Sequence, residues 1–399
     1  MSIKILRVIS SAREWAVESG YEFTEIDLAF DLCKSNPATG FKYLSPNLQS
    51  ALDLENSEYY SNPIRIRAKG LYVLVWNWET NGSRLNYKYF IISSSGNLFC
   101  EPPGHSEIWL KYFPSLFYRQ DGIIGIDERI ISQAENVVPE RNMLVIGGSW
   151  HFGHWIADSL PQIVQSFAEK DSFELLVTEF SPYQTSAVKH LFREIYRKNL
   201  LNVLQVNIGR SPLKVYKFSE AYIYGDFSVR AKNLLLRLAV GSDTIDNQGL
   251  YKALPHWKHS VYLFRGRVNG VERIANECRL VKIFQDEGIS TVDSATLSFD
   301  QAKLLFSKYR YFITCLSSGN TNFNVFGEPN SYLVQLLPVS FQRLKSEVAL
   351  GSAIYMTPRI ENTNFLYCDQ SDPDSEDEHA QIMLRDVIID EIIRRLRLG

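Results

Sequence analysis

The sequence lacks paired cysteines. Its five, Cys33, Cys100, Cys278, Cys315 and Cys368, are scattered and include no C-x-x-C spacing, so neither a disulfide framework nor a cysteine zinc site is indicated, and a reducing compartment fits best. It also lacks an excess of either charge. Against 42 Lys and Arg stand 45 Asp and Glu, a net charge of −3, so there is no global basic field to hold a nucleic-acid backbone, and nucleic acid is not expected as a partner. No apolar run approaches the roughly 18 residues of a membrane span. The amino-terminal MSIKILRVISSAREWAVESG has no apolar core followed by a small-residue cleavage site. A cytoplasmic protein is expected, with peripheral attachment at the inner membrane face or to a complex left open.

What the chain does have is enough mass for more than one core. Its 399 residues fit two or three domains, and 45% hydrophobic with 22% charged residues is a globular balance. Tyrosine (21) and phenylalanine (23) are abundant enough for stacking on sugars or bases, with ordinary packing the plainer use. Residues 1–138 carry short β-prone runs, Leu71 to Trp78 and Tyr87 to Phe99, the second around a Ser-Ser-Gly-Asn turn, and read as a β-rich lead-in. Over 139–255 apolar strands alternate with helical stretches, which argues for parallel βαβ units. A crossing near Pro255 leads to a second such set over 256–350. Residues 351–399 read as an acidic loop, Asp369 to His379, and an amphipathic helix whose apolar stripe docks on the body. The fold class expected is α/β, with two Rossmann-like domains facing a cleft and ligands at the carboxyl ends of the strands.

Seven histidines serve the whole chain, and two of them fall in GGSWHFGHWIADSLPQI, Gly147 to Ile163, just after the apolar run Met143 to Ile146. On a helix starting near Phe152, His151, His154 and Asp158 share one face near the first turn, at the end of the preceding strand. A neutral imidazole there can take a proton from a hydroxyl, with the carboxylate orienting it. Two other readings stand beside this one: packing histidines next to Trp150 and Trp155, or three ligands of a zinc site, although the spacing is not H-E-x-x-H.

Two more clusters follow strands. In VYLFRGRVNGVERIANE the strand Val261 to Phe264 ends at Arg265, with Arg267, Arg273, Asn276 and Glu277 after it; guanidinium forks at such a place can offset a diphosphate, or form a solvated basic loop. After the strand Tyr311 to Leu316 comes SSGNTNFNVFGEP, whose Ser317, Ser318, Gly319 and Asn322 let a backbone approach a ligand closely or simply make a turn. No D-x-D motif sits at a suitable strand end, so metal dependence is not indicated.

These three clusters, in this order over about 200 residues, resemble the motifs of family 61 glycosyltransferases. His154, Trp155, Asp158, Leu160 and Pro161 match H-W-x-x-D-x-L-P; Arg265, Arg273, Asn276 and Glu277 match a strand-end arginine followed by R-x-x-x-N-E; Ser317, Ser318, Gly319 and Asn322 match G-[AS]-G-x-x-N. The chain departs from the pattern at Gln162, where arginine is frequent, and at Ser317, where the first glycine stands. The resemblance implies a GT-B-like enzyme that inverts the anomeric centre in cell-surface (capsule) polysaccharide biosynthesis. It further implies a nucleotide-sugar donor as co-substrate, a glycan or lipid-linked acceptor, and no metal. His154 or Asp158 is then the catalytic base. Arg265, Arg273, Asn276, Glu277, Ser317, Ser318, Gly319 and Asn322 are the donor and phosphate site. A metal-dependent hydrolase built on His151, His154 and Asp158, and a non-catalytic sugar-nucleotide or glycan-binding module, are the alternatives.

Overall fold

The computed structural model describes residues 2–9, 11–26, 63–79, 85–99, 116–121, 123–147, 155–169, 173–178, 182–191, 202–206, 213–227, 235, 256–266, 272–315, 320–327, 331–340, 363–374 and 381–398. The chain divides into two compact units, Met1–Cys33 with Glu58–Leu235 and Lys34–Ser57 with Leu236–Gly399.

Among the described residues the first unit holds twelve strands: β1 (Ile3–Ile9), β2 (Glu22–Glu25), β3 (Ile64–Glu79), β4 (Leu85–Ile92), β5 (Asn97–Phe99), β6 (Phe117–Gln120), β7 (Ile123–Asp127), β8 (Glu135–Val137), β9 (Asn142–Gly147), β10 (Phe173–Thr178), β11 (Asn202–Val206) and β12 (Leu213–Gly225). They form one sheet in the order β11-β10-β9-β12-β3-β4-β5-β1-β7-β6, with β2 on β3 and β8 on β12. β9, β10, β11 and β12 are mutually parallel where they pair, whereas β12 runs antiparallel to β3. The expected boundary at 138/139 is thereby corrected: β12 takes β9 on one edge and β3 on the other, so the lead-in and the first βαβ set share a sheet. The hairpin expected around Ser-Ser-Gly-Asn is the antiparallel pair β4 and β5.

One core of this unit shows how the pattern folds. Ile64, Ile66 and Ala68 line it before Gly70, and Leu71, Val73 and Val75 line it after. The period-2 alternation therefore changes phase at Gly70, whose φ of 70° is the left-handed conformation that glycine adopts without strain. The helix Ala12–Ser19 closes this core; Ser11 caps its start, Gly20 in the left-handed region ends it, and buried Trp15 donates its indole N–H to the Asn97 carbonyl at 3.0 Å.

The second unit holds β13 (Ser260–Phe264), β14 (Ser290–Asp293), β15 (Tyr311–Cys315), β16 (Tyr332–Pro338), β17 (Thr363–Gln370) and β18 (Ile382–Met383) in the order β14-β13-β15-β16-β17-β18. All pairs are parallel except β17 with β18. One face packs against the helix Glu277–Asp286 and the carboxyl-terminal helix Asp386–Leu398, joining Tyr262, Ile313 and Leu336 to Leu280, Phe284, Ile389, Ile392 and Leu396. The docking expected of the terminal amphipathic helix is found here. The opposite face carries the helix Phe299–Lys308, begun by a Ser298/Gln301 capping box, and the short helix Asn320–Phe326. Phe306 stacks on Phe312 at 4.5 Å, with Phe299, Phe323 and Phe326 around them. Residues 351–399, expected as an acidic loop and helix, also supply β17 and β18. The Thr, Asn, Cys, Asp and Gln of TNFLYCDQ hide that strand, because Asn and Asp are poor strand formers and no alternation marks it. The expected crossing near Pro255 lies outside the described residues.

Among the described residues no helix is long and apolar enough to cross a membrane.

Candidate functional site

In the first unit the chain passes from β9 outward to β10 and β11, then returns to lay β12 on the other side of β9. The carboxyl ends of β9 and β12 therefore flank a topological switch point, the place where parallel α/β sheets open a crevice. β9 ends at Gly147, whose φ of 76° turns the chain; a Cβ there would meet the Tyr89 ring at 3.4 Å. His151 and His154 lie outside the described residues. Asp158 lies within a π-turn, Trp155–Ser159, that leads into the helix Leu160–Ala168. Pro161 explains the wide turn: it has no N–H for the carbonyl four residues back, and its ring crowds that carbonyl. Trp155 and Ile156 are buried, which anchors the turn and leaves Asp158 half-buried. The carboxylate at the end of β12, Asp226, is engaged structurally: it accepts the amides of Ala12 at 3.0 Å and Arg13 at 3.3 Å, at the start of the helix Ala12–Ser19.

The second unit has its own switch point. From β13 the chain goes to β14 on one side and from there to β15 on the other, so the carboxyl ends of β13 and β15 open between them. Arg265 and Gly266 stand at the end of β13, with Gly266 at φ 60°. Buried Glu277, in the first turn of the next helix, reaches back to hold this turn: one carboxylate oxygen accepts the Gly266 N–H at 2.9 Å and the other the Tyr262 hydroxyl at 3.1 Å. Burial pushes the Glu277 pKa up, opposed by these hydrogen bonds. Tyr262 is raised well above its ordinary value, first by burial and then by the Glu277 charge.

Asn276 points to a different partner. Its amide nitrogen donates to the Leu384 carbonyl at 2.9 Å, and its oxygen accepts the Leu384 N–H at 3.2 Å. Both polar ends of the side chain are thus engaged by backbone. Arg267, Ser317, Ser318 and Gly319 lie outside the described residues. Asn322 is buried on the helix Asn320–Phe326, and its oxygen has no hydrogen-bond partner among the described residues.

Cys315, the last residue of β15, is buried in the core beneath these strand ends. Burial pushes its thiol to about 12, Glu277 adds to the rise, and the charges of Arg273 and Arg265 oppose it. Arg265 follows β13 directly, and β13 pairs with β15 up to Leu263 and Thr314; Arg273 precedes Ile274, which packs in the same core as Cys315, so the chain brings Arg265, Arg273 and Glu277 to one switch point. Such an array can bind an anion through guanidinium forks while a buried carboxylate holds the turn. Sequence reasoning missed Tyr262 and the Asn276–Leu384 contact. A tyrosine inside the strand SVYLF, three residues before the arginine, was the available signal for the first; a contact across 108 residues left none for the second. Among the described residues no three His, Cys, Asp or Glu side chains gather to hold a metal ion.

No family model matches the chain, and no curated protein matches it. Among solved structures, one that it resembles is TibC from enterotoxigenic E. coli H10407, described as an iron-containing dodecameric glycosyltransferase; the likeness spans 70% of this chain and 79% of that one at 9% identity, with a TM-score of 0.29. A likeness that slight decides neither the fold nor the activity of this chain.

Proposed function

We propose that this chain is an inverting glycosyltransferase of GT-B-like, two-Rossmann kind that moves a sugar from a nucleotide-sugar donor to a glycan or lipid-linked acceptor. The observation that supports the reading is Arg265 at the carboxyl end of β13, at a topological switch point, with its Arg265–Gly266 turn fixed by Glu277 and with Arg273 beside Ile274 in the core that Cys315 of β15 shares. In the displacement the acceptor oxygen forms a bond to the anomeric carbon as the bond from that carbon to the diphosphate breaks. His154 or Asp158 takes the acceptor proton. Arg265 and Arg273 offset the charge that accumulates on the departing diphosphate, a role that requires no bound metal. Work on a cell-surface polysaccharide at the cytoplasmic side belongs to the same proposal.

A thermal-shift screen tests it, using nucleotide sugars and free nucleotides with divalent metal or EDTA, on wild type and Arg265→Ala. A ligand at a hundredfold excess over Kd adds about 2.7 kcal/mol to stability, so even a weak donor registers. The expected result is a shift with one nucleotide class that survives EDTA and is lost in the variant. Absence of any shift, together with destabilisation by EDTA, would overturn the reading in favour of a metal site around His151, His154 and Asp158.

A further inference from the structure

The carboxyl-terminal segment does more than cover a sheet face. The Ile382 N–H donates to the Arg273 carbonyl at 2.8 Å, and the Ala275 N–H donates to the Ile382 carbonyl at 2.8 Å. Ile274 and Ile382 thereby form a parallel bridge. Two residues on, the Asn276 side chain continues the same ladder by exchanging two hydrogen bonds with the backbone of Leu384. Ile274, Ile382 and Leu384 are all buried, so these bonds lie away from competing water.

Chemistry narrows what can stand at 276. Aspartate has the length but no donor for the Leu384 carbonyl; serine is too short to reach both groups; glutamine carries one methylene too many. The anchoring segment is itself held down. Ile389, Ile392, Ile393 and Leu396 of the terminal helix enter the core, and Arg279 pairs with Asp386 at 2.7 Å while Arg397 pairs with Glu287. A loop followed by a helix has many ways to sit; this one is fixed at its carbonyl, its amide and a side chain by residues more than a hundred positions away.

We propose that Asn276 is a positioning residue that ties the loop bearing Arg273 to residues 381–384, so that the carboxyl-terminal segment is a working part of the diphosphate site. The proposal rests on the transferase reading. It predicts reciprocity: if the docked segment favours the ligand, the ligand favours the docked segment.

The test measures binding of UDP, GDP, CDP and ADP, each as a free probe in EDTA, to wild type, Arg273→Ala, Asn276→Ala, Asn276→Asp and the Arg273→Ala/Asn276→Ala double variant. Amide exchange at 275, 382 and 384 is followed in each. The expected outcome is a roughly tenfold weaker Kd in either Asn276 variant, with faster exchange at those amides. In the Arg273→Ala background the second change should cost no further affinity, because the loop then has no charge to position. In wild type the bound probe should slow exchange at 382 and 384. Asn276 variants that bind as wild type does, or that lose as much affinity with Arg273 already gone, overturn the proposal. Wild type and Arg273→Ala binding alike, or neither binding any probe, overturns the transferase reading and this inference with it. If Asn276→Ala fails to fold, Asn276→Asp carries the comparison, since it preserves size and one acceptor.

Discussion

A Cβ built on Gly225 would stand 2.1 Å from the Cβ of Ala12, so the end of β12 and the start of the helix Ala12–Ser19 touch backbone to side chain. The next residue, Asp226, then caps that same helix start while itself in the left-handed region at φ 57°. Gly225→Ala must push the helix off the sheet or bend the strand, and overpacking of this kind costs about 1–3 kcal/mol or more. Urea unfolding should show that loss, and Ala12→Gly added to it should restore part of the stability. Unchanged stability in Gly225→Ala would mean that the helix rides loosely on the sheet.

Most of the elements around both switch points were legible in the chain because β9, β13 and β15 are short, largely apolar runs bounded by turn residues. Met143 to Ile146, Val261 to Leu263 and Phe312 to Cys315 are buried on both sides, as parallel strands require. Arg265 at the end of β13 was equally visible, since charge straight after an apolar run marks a strand end. Less visible was the joining of the lead-in to the first βαβ set, because nothing local records that β12 is long enough to pair with β3 along one edge and with β8 and β9 along the other. The same holds for residues 382–384, which pair with 273–276 across most of the second unit. Non-local pairing leaves its mark in which residues are apolar, and Ile382 and Leu384 alone are too short a run to read. Asp158 was placed on an α-helical face with His154, but Pro161 widens that turn to a π-helix, a change of register that spacing rules do not foresee.

Glu277 gives a pH signature. Burial raises its pKa above the ordinary 4.5, so the folded chain holds this proton more tightly than the unfolded chain does. Its contribution to stability is therefore complete below the ordinary value and is lost as pH rises through the raised one. Unfolding free energies of wild type and Glu277→Gln, measured from about pH 4.5 to about pH 8, should show wild type losing ground to the variant as pH rises. The variant also gives up one of two acceptors, for the Gly266 amide or the Tyr262 hydroxyl, which lowers its stability at every pH without altering that slope. A wild-type advantage that grows with pH would mean that the hydrogen bonds outweigh burial.

The cysteines offer a check on the core beneath this switch point that depends on no ligand. Cys315 and Cys368 are buried, and burial first of all pushes each thiol to about 12, whereas Cys278 is exposed on the helix Glu277–Asp286. Alkylation needs the thiolate, and a thiol with a pKa about four units above a working pH near 8 holds roughly one part in ten thousand in that form. Iodoacetamide on the native protein, read peptide by peptide, should therefore modify Cys278 and spare Cys315 and Cys368 until denaturant is added. Protection at Cys315 has a further consequence. Because the Arg265 and Arg273 charges oppose its rise, replacing both arginines by alanine should leave the thiol at least as inert, provided the crevice stays closed to water. Faster labelling of Cys315 in that double variant would instead mean that the arginines seal the core at this strand end, and that opening it to solvent outweighs the loss of their field.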